Sequence, residues 1–507
     1  MNRAKKDIGY SQGQFKMKRI NTKLVSDKSI TIPGSKSVSH RMLICSAMAD
    51  GTSIIRNILQ SEDIHHTISA LSKMGAVIEE TGLEVEEKTN REILEKVTTN
   101  IAIRVTGFNG KPKPYHQEIH LGNSGTSMRL LAGTAALGTT PYVLTGDIRM
   151  QERPMGDLLN ALNMAGAEAI SKKGDGTPPV IINGGSVKHF DNSKHGEDVE
   201  KYGNAKNLGA IGGNISLDCS QSSQYLSSML MMGALLPQGL LINLPGPTVS
   251  APYVDLTIDI MKKFGVNAER LDDKTYRVAG NQIYRAGNFA VEPDISNASY
   301  FWAAGAVTGN MVTVTDINQN SLQGDKRLLE IFRQMGCEIE YSTNGIGVRG
   351  NYSGINSDGG NIHSVKSGQV SDKCLNAVEV DMSDIPDVVP TLAVVAAFAK
   401  GTTRIVNIEH LREKECDRIS AVVSQLRKIG IEASEGKDWL AVTGVGINRD
   451  EINKVLHKAI IETFNDHRIA MAFSIIGLMV DGIEIENEGC VAKSFPNYWE
   501  KFDSIGM

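Results

Sequence analysis

One pattern recurs six times along this chain of 507 residues: an apolar helical stretch, a polar break with glycine, and a β-rich run. The breaks lie at residues 49–51, 136–138, 238–239, 308–309, 400–401 and 481–482. Five of them precede a second helical stretch that ends in a glycine, the usual residue just past a helix: Gly75, Gly166, Gly265, Gly336 and Gly430. At roughly 70–100 residues each, the repeats are too long for a solenoid and predict six similar α/β units that share cores.

The repeats also predict how the chain divides into domains. A chain of this length exceeds one hydrophobic core, and length alone suggests about three domains. Six units are arranged most simply as two domains of three units, with a hinge near residues 291–293, between the third and fourth breaks. Three polar segments, near residues 84–114, 184–213 and 354–368, are predicted to be extended loops.

Charge and cysteine content exclude several classes of protein. The net charge of −5 gives no general positive field for nucleic acid or an anionic membrane, so an anionic ligand requires locally clustered cations. The six cysteines are far apart and include no CxxC pair, which argues against a disulfide framework or a zinc ribbon and favours a reducing compartment. Residues 1–29 lack the apolar core of a signal peptide, and no apolar run is long enough to span a membrane. We therefore expect a soluble, cytoplasmic protein.

The most informative single motif is PGSKSVSHR at residues 33–41. A Pro-Gly turn delivers three hydroxyl groups, Lys36 and Arg41 to the start of a predicted helix. Backbone N–H groups at a helix N-terminus carry partial positive charge, so hydroxyls and cations gathered there form an anion site. Taken alone, the motif is equally consistent with a serine-capped helix that carries two surface cations.

Other polar segments also precede predicted helices. Residues 121–129, LGNSGTSMR, offer backbone N–H groups to a ligand, although by themselves they are better explained as a capped helix after a tight turn. Residues 149–154 place two arginines beside a proline at a helix start. Residues 222–225 and 384–387 also precede apolar helical stretches, residues 250–253 follow the next strand, and the polar segment 493–496 lies near the end of the sequence.

Two clusters of ionisable residues and one histidine favour ordinary structural interpretations when each is considered alone. The segment 410–418 is so densely charged that a solvated helix face with i,i+4 ion pairs is the default. His467 is better explained as a buried structural histidine than as a catalytic one. Asp63, His65 and His66 are better explained as a solvated helix face than as a metal site. The sequence contains no Gly-rich dinucleotide loop, P-loop or HExxH motif.

The sum of these segments is more informative than any one of them. Nearly every unit has a polar, cationic helix start. Six units that direct their helix N-termini to one cleft would form a strongly positive basin in a protein of net charge −5. Such a basin suits a small ligand with several phosphate and carboxylate groups.

In this order the motifs resemble those of the 5-enolpyruvylshikimate-3-phosphate synthase (EPSP synthase) family. The matching segments are PGSKSVSHR, LGNSGTSMR, RMQERPMGDL, SSQYLSSML, SDIPDVVPTLAV, REKECDRI, NDHRIAMAF and KSFPNYW, from Ile32 to Trp499. The resemblance implies an α/β (α+β) fold of two similar domains, each with three βαβαββ units, and an active site in the cleft between them. It implies a first domain of residues 35–292 and a second of residues 1–34 with 293–507, so that the chain crosses twice, near Gly34 and Glu292.

The resemblance also implies a reaction. The family transfers the enolpyruvyl group of phosphoenolpyruvate to the 5-hydroxyl of shikimate 3-phosphate and releases phosphate, without an organic cofactor or a catalytic metal. The implied partners are therefore these two small molecules, with no nucleic acid and no membrane, and the protein is expected to be a monomer. Glyphosate is expected to compete with phosphoenolpyruvate.

Motif by motif, the resemblance implies two groups of binding residues and two catalytic carboxyl groups. Those implied around shikimate 3-phosphate are Lys36, Ser37, Arg41, Ser222, Ser223, Gln224, Ser250, Asp387, His410 and Lys414. Those implied around phosphoenolpyruvate are Lys36, Asn123, Gly125, Arg153, Gln224, Arg418, Arg468 and Lys493. Asp387 is expected to take the proton of the 5-hydroxyl and Glu415 to protonate the methylene carbon, because the reaction needs one base and one acid. Arginines suit the anionic groups because a guanidinium binds them bidentately.

The chain departs from the family's pattern at three positions. His410 stands where many members carry an asparagine that contacts the substrate ring. Leu130 replaces a frequent proline, and His40 replaces a frequent asparagine. The last two changes are expected to alter inhibitor sensitivity more than activity.

Three alternative functions are weighed against this one. UDP-N-acetylglucosamine enolpyruvyl transferase has the same fold, but its family carries a cysteine in the loop before an Arg-Pro pair, and residues 147–152 contain none. RNA 3′-phosphate cyclase uses related repeats and a nucleotidylated histidine, but its substrate favours a basic surface. The third is a polyanion-binding module without catalysis, which steady phosphate release from phosphoenolpyruvate would exclude.

Overall fold

The computed structural model describes residues 16–21, 25–82, 101–184, 213–351, 374–446 and 449–506. The predicted loop 354–368 and nearly all of the predicted loop 184–213 lie outside these residues. The prediction of a loop over 84–114 is wrong at Ile101–Thr106, which is a strand, whereas residues 107–114 contain no helix or strand, as predicted. Ile103 and Val105 are buried and Arg104 between them is exposed, an alternation that is typical of a strand with one face on a core.

The second unit shows how each repeat is built. In chain order it contains strand Glu118–His120, helix Gly125–Ala135, strand Tyr142–Thr145, helix Gly156–Met164, and strands Glu168–Ser171 and Val180–Asn183. The first two strands are parallel, and the fourth strand lies antiparallel between the second and the third. This is the expected βαβαββ arrangement.

Four other units repeat this order, and the sixth has a smaller sheet. The first contains strand Asn288–Ala290, helix Lys36–Met48, strand Thr52–Arg56, helix Glu62–Lys73, and strands Val77–Gly82 and Ile101–Thr106. The third contains Gly213–Ser216, helix Gln224–Gly233, Leu240–Asn243, helix Pro252–Lys263, Ala268–Arg270 and Thr275–Val278. The fourth contains Lys28–Ile30, helix Ile295–Thr308, Val312–Thr315, helix Leu328–Gln334, Glu338–Ser342 and Gly345–Arg349. The fifth contains Glu379–Asp381, helix Val389–Ala396, Lys400–Val406, helix Arg418–Lys428, Glu432–Glu435 and Leu440–Val445.

In the sixth unit, the described residues form a three-stranded sheet. Its elements are strand Ala459–Ile461, helix His467–Ile476, strand Ile483–Ile485 and the N-terminal strand Lys18–Arg19. Helices Arg449–Val455 and Tyr498–Ser504 flank it. Short 3-10 segments occur at Met150–Glu152, Gly324–Arg327, Pro386–Val388, Glu409–Glu413 and Glu488–Lys493. The five glycines predicted to end helices all have positive φ, from 79° to 105°.

In the first and fourth units, one strand of the sheet is far in sequence from the rest of the unit. It lies beyond a point where the chain passes from one half to the other. Asn288–Ala290 pairs with Thr52–Arg56, and Lys28–Ile30 pairs with Val312–Thr315. At the crossing, the Ser35 N–H donates to the Glu292 carbonyl at 2.8 Å. The two passages of the chain thus run side by side as a short antiparallel bridge.

Within the described ranges, the buried apolar side chains form two clusters. One extends from Val38 to Val291, and the other combines Ile20 to Ile32 with Ile295 to Ile505. In each half, three helices that are buried along nearly their whole length pack together. They are Lys36–Met48, Gly125–Ala135 and Gln224–Gly233 in one half, and Ile295–Thr308, Val389–Ala396 and His467–Ile476 in the other. The domain boundaries at residues 34/35 and 292/293 stay a prediction, which this division of the core supports.

We expect Gly34→Ala to destabilise the protein by about 3 kcal/mol, within the range for overpacked sites. A Cβ at this position would collide with the carbonyl oxygen of Asn57, and backbone cannot move aside as a flexible side chain can. Thermal unfolding of both proteins measures the effect. Gly489→Ala is the control, since its Cβ would have nothing within 4 Å. Equal melting temperatures for Gly34→Ala and the parent protein would contradict the expectation.

No helix in the described parts of the chain is long and apolar enough to cross a membrane.

Candidate functional site

A cavity lies between the two halves, where the buried helices begin. Most of the predicted site residues line it: Lys36, Ser37, Gly125, Arg153, Ser222, Ser223, Gln224, Ser250, Asp387, Lys414, Glu415, Arg418 and Arg468. They come from segments as far apart in sequence as the first and sixth units. The cleft therefore contains the cationic helix starts that the sequence places in separate repeats.

Side-chain caps fix where three of these helices begin. Ser124 accepts a hydrogen bond from the Ser127 N–H and caps helix Gly125–Ala135. Asp417 and Asp466 cap helices Arg418–Lys428 and His467–Ile476 in the same way. Because a cap satisfies otherwise unpaired N–H groups, it sets the first residue of the helix. Arg418 and Arg468 consequently lie in the first turns of their helices.

The helix start that carries Lys36 already contacts two carboxylates. The Lys36 N–H donates to Asp294 at 2.8 Å, and its Nζ lies 3.3 Å from Asp63. In the first contact, the carboxylate of Asp294, from the other half, binds a backbone N–H of the predicted anion site. The second corrects the interpretation of Asp63 as part of a solvated face, because Asp63 is buried. The alternative of two surface cations is also wrong, since Lys36 and Arg41 are both buried.

Asp387 lies between two arginines of the second half. Its Oδ1 accepts from Arg418 at 3.1 Å, and its Oδ2 accepts from Arg468 at 2.6 Å. Burial alone would raise the pKa of Asp387, but the charges of Arg468, Arg418 and Lys414 outweigh it and hold this pKa below its ordinary value. Asp387 is therefore ionised at neutral pH.

Glu415, the other predicted catalytic carboxyl group, has a similar environment. It pairs with Arg418 at 2.7 Å and with Lys493 at 3.1 Å. Burial again opposes ionisation, yet Lys493 and Arg418 lower the pKa of Glu415 well below its ordinary value. Arg418 also donates to the buried Asp466 at 2.7 Å, so one guanidinium contacts three carboxylates. The interpretation of segment 410–418 as a solvated helix face is therefore wrong, since Glu413 is the one exposed residue in it and the α-helix begins only at Arg418.

Lys414 projects from the loop before helix Arg418–Lys428 and lines the same cavity. Burial lowers its pKa to about 8, because the opposing effect of Asp387 is offset by Arg418, Arg129 and Arg153. Its charge at physiological pH therefore depends on what anions share the cavity.

Gly125 and Arg153 lie against each other on the first-half wall. A Cβ at Gly125 would be 2.7 Å from the Arg153 guanidinium, so the glycine leaves room for that group. Arg153 is buried, and its Nε has no hydrogen-bond partner in the described residues. One of its terminal nitrogens reaches the Asn123 Oδ1 at 3.5 Å. An unpaired buried donor of this kind suits an anionic ligand.

Four predicted residues do not line the cavity. Lys493 lies just behind Glu415 and also donates to the Asn123 carbonyl at 2.8 Å. Arg41 is buried, and it donates to Thr257, Ser227 and the carbonyls of Ser37 and Tyr253. His410 is buried, its Nε2 has no hydrogen-bond partner among the residues that the structure describes, and burial lowers its pKa to about 3. The binding roles of Arg41, Asn123, His410 and Lys493 stay predictions.

His467 is fully buried, as the structural interpretation requires. Burial lowers its pKa well below the ordinary value, with Lys36 and Arg468 acting in the same direction. It is therefore neutral. Among the described residues, no group of three or more His, Cys, Asp or Glu side chains could hold a metal ion.

Several cavity residues were missed from the sequence. Arg129 donates to Ser222 and Gln224, and Gln224 donates to Thr126, so these side chains form one network on the first-half wall. Arg129 and Thr126 belong to the motif at 121–129, and that motif was the available signal. Tyr253 also lines the cavity, at the end of the polar segment 250–253.

Hydrogen bonds across the cleft join the two halves. Arg149 donates to the carbonyls of Lys414, at 3.0 and 3.2 Å, and of Arg412, at 3.3 Å. The Ser250 N–H donates to the Ser383 carbonyl at 3.0 Å. In this structure the cleft is therefore closed.

Comparison with known proteins agrees with this architecture. Residues 22–502 match the sequence profile of the family described as EPSP synthase (3-phosphoshikimate 1-carboxyvinyltransferase). A 3-phosphoshikimate 1-carboxyvinyltransferase of Aliivibrio salmonicida is 37% identical over 482 residues, which cover 95% of this chain and 97% of that one. One of Escherichia coli is 36% identical over 486 residues, with 95% and 97% covered.

The fold comparison gives the same family. A solved EPSP synthase structure from Acinetobacter baumannii superposes with a TM-score of 0.70 at 26% identity, and covers 97% of this chain and 98% of the other. A second structure of EPSP synthase from that organism gives a TM-score of 0.69 at 26% identity. The α/β fold with two three-unit halves is thereby confirmed. By profile, by identity over nearly its whole length and by fold, the chain belongs to the EPSP synthase family.

Proposed function

We propose that this protein transfers the 1-carboxyvinyl group of phosphoenolpyruvate to the 5-hydroxyl of shikimate 3-phosphate and releases phosphate, as a 3-phosphoshikimate 1-carboxyvinyltransferase of the shikimate pathway. One observation carries the proposal. One cavity between the two halves brings the carboxylates of Asp387 and Glu415 together with cations of several different units. That combination supplies one base, one acid and the counter-charges for two polyanionic substrates.

The two substrates are proposed to bind different groups of side chains in the cavity. Ser222, Ser223 and Ser250 offer hydroxyl donors on the first-half wall, where Lys414 reaches across from the other half. Hydroxyls and an ammonium group suit the phosphate and ring hydroxyls of shikimate 3-phosphate. Arg153, Arg418 and Arg468 suit the phosphate and carboxylate of phosphoenolpyruvate, because planar guanidinium groups bind such anions bidentately.

The ion pairs of Asp387 and Glu415 suggest how substrate binding activates both carboxyl groups. Asp387 and Glu415 are each held ionised by arginine or lysine partners. When the anions of phosphoenolpyruvate pair with Arg418, Arg468 and Lys493, they neutralise these charges, and the pKa of both carboxyl groups rises.

This change in pKa suits both proposed roles. A free Asp387 with a higher pKa is a stronger base for the 5-hydroxyl proton. Glu415 with a higher pKa can carry the proton that it delivers to the methylene carbon. Substrate binding therefore prepares the base and the acid together.

A phosphate-release assay tests the proposed function. We expect steady release of phosphate from phosphoenolpyruvate with shikimate 3-phosphate, and none with UDP-N-acetylglucosamine in its place. Family membership does not favour the alternative transferase or the RNA cyclase. Phosphate release with the sugar nucleotide alone would overturn the proposal, and binding without any release would leave only a polyanion-binding module.

The remaining expectations belong to the same proposal. The protein is proposed to act on small molecules as a cytoplasmic monomer, without nucleic acid, and glyphosate is proposed to compete with phosphoenolpyruvate. All six cysteines are free thiols, which suits a reducing compartment.

We expect the cleft to open when no ligand is bound and to close on shikimate 3-phosphate. Arg129 and Arg153 of one half lie near Lys414 of the other, and the substrate phosphate offsets their mutual repulsion. Small-angle scattering should show a smaller radius of gyration with the substrate than without it. Phosphoenolpyruvate alone serves as the comparison ligand. A radius that shikimate 3-phosphate leaves unchanged would contradict the expectation.

We expect kcat/KM for shikimate 3-phosphate to fall as pH rises through about 8, the pKa of Lys414. In the closed cleft Lys414 loses this charge above about pH 8, and the uncharged amine no longer favours closure on the substrate phosphate. In Lys414→Arg the fall should move to higher pH, because arginine keeps its charge. A fall at the same pH in both proteins would show that another group controls it.

A further inference from the structure

Asp325 is a buried carboxyl group that the proposed reaction does not use. It lies in the 3-10 segment Gly324–Arg327 of the second half and is 1% exposed. Its Oδ2 accepts from the hydroxyl of Ser296 and, at 3.2 Å, from the hydroxyl of Tyr253. Its Oδ1 has no hydrogen-bond partner in the described residues. An ionised carboxylate with one bare oxygen in such a place is strongly disfavoured.

Tyr253 belongs to the other half of the molecule and lines the substrate cavity. Its ring lies under the Arg41 guanidinium, and its carbonyl accepts from Arg41 and Thr257. The Tyr253–Asp325 hydrogen bond therefore crosses the cleft beside the wall that carries Ser250. This is a direct link between a cavity residue and the opposite half.

The segments that carry Tyr253 and Asp325 also pack closely against each other. A Cβ at Gly324 would lie 2.8 Å from the side chain of Pro252, so the two segments are packed without a gap. The Ser250 N–H to Ser383 carbonyl bond lies in the same junction. Opening the cleft would separate these contacts and give Asp325 access to water.

The charges around Asp325 come from several elements. Asp387 on the segment Pro386–Val388 and Asp294 before helix Ile295–Thr308 are both acidic, and Arg468 on helix His467–Ile476 is basic. Two cations lie on the same 3-10 segment as Asp325. The Lys326 Nζ donates hydrogen bonds to the carbonyls of Gln319 and Ser321, and Arg327 is exposed. Burial raises the pKa of Asp325 to about 7, Asp387 and Asp294 add to the rise, and Ser296 and Arg468 oppose it.

We propose that Asp325 is a positioning residue which, as a neutral carboxylic acid, holds Tyr253 across the closed cleft, so that closure on shikimate 3-phosphate takes up a proton. The proposal rests on the proposed function, because it needs that substrate to close the cleft. In this proposal, Asp325 does not contact the substrate. It acts through Tyr253 on the wall that carries Ser250.

The sign of the linkage follows from the two pKa values. In the open form a hydrated aspartate is ionised above about pH 4, whereas in the closed form Asp325 keeps its proton up to about pH 7. Binding of a proton to Asp325 therefore favours closure between about pH 4 and about pH 7. Above the closed-form pKa, closure no longer depends on pH through Asp325. Substrate affinity should fall as pH rises from 5 to 7 and then level off.

Calorimetry of shikimate 3-phosphate binding in two buffers of different ionisation enthalpy measures the proton uptake. Between pH 5 and 7, the parent protein should take up more protons on binding than Asp325→Asn, because burial in the closed form raises the pKa of Asp325. The amide mimics the neutral acid, so the variant should bind with an affinity that changes less between pH 5 and 7. Protonation of the substrate phosphate and of Lys414 is common to both proteins and cancels in the difference.

Asp384→Asn is the matched control, an acid of the same half outside the cavity lining, and it should behave as the parent does. Equal proton uptake by the parent protein and Asp325→Asn would overturn the inference. If Asp325→Asn does not fold, Tyr253→Phe replaces it and should weaken shikimate 3-phosphate binding roughly fivefold through loss of one hydrogen bond. Unchanged affinity there would equally overturn it.

A double substitution separates positioning from general damage. Tyr253→Phe should have little further effect on affinity in Asp325→Ala, because the two groups act through one contact. Independent effects of the two substitutions would contradict the link. A parent protein that neither binds shikimate 3-phosphate nor releases phosphate would instead refute the proposed function, so the two failures are distinguishable.

Discussion

Asp387→Asn is expected to lower turnover by roughly a thousandfold, within the range that general acid–base catalysis contributes. Asparagine keeps the size and polarity of the side chain but cannot accept the 5-hydroxyl proton. In the structure Asp387 also binds Arg418 and Arg468. The substitution therefore leaves both guanidinium groups freer for the anions of phosphoenolpyruvate.

The result should be a split between binding and chemistry. We expect the affinity for both substrates to be kept or to rise, while kcat collapses. Equilibrium binding and single-turnover kinetics measure the two separately. Asp384→Asn, three residues earlier in the same segment, is the control and should keep parent turnover. A kcat for Asp387→Asn within a few-fold of the parent value would show that Asp387 is not the base.

Glu415→Gln is expected to lower turnover by roughly a hundred- to a thousandfold, because glutamine has no proton to deliver to the methylene carbon. The contacts of Glu415 with Arg418 and Lys493 lose their charge but keep a hydrogen-bond acceptor. Binding of phosphoenolpyruvate should therefore survive the change. A rapid-quench single turnover distinguishes slow chemistry from slow product release.

The neighbouring Glu413 provides the matched control for this variant. It is exposed, two residues away, and outside the cavity lining. Glu413→Gln should retain the parent single-turnover rate. If the two variants show the same rate, or if Glu415→Gln loses phosphoenolpyruvate binding rather than chemistry, Glu415 acts in binding and not as the acid.

The sequence alone determined the local features of this protein. The six-fold recurrence of helix, break and strand predicted the α/β units, and the five helix-ending glycines have positive φ as expected. Motifs such as PGSKSVSHR and NDHRIAMAF placed Lys36 and Arg468 in the first turns of their helices. These features are predictable because hydrophobic period, capping and φ preference act between residues a few positions apart.

Only the tertiary structure decided how the charges are paired. Lys493 meets the Asn123 carbonyl across 370 positions of sequence, and Asp387 meets Arg468 across 81. The burial of Asp63 against Lys36 could not be predicted from the sequence either. A run of polar residues on a helix has the same pattern whether that face is solvated or covered by another helix.

The same reason explains the residues that the sequence did not reveal. Ile101–Thr106 became a strand because two neighbouring strands pair with it on either side. No sequence pattern distinguishes Tyr253 or Asp325. The hydrogen bond between them forms because the closed cleft brings the two halves together. Local pattern fixes which element a residue joins, whereas burial, partner and pKa depend on which distant element packs against it.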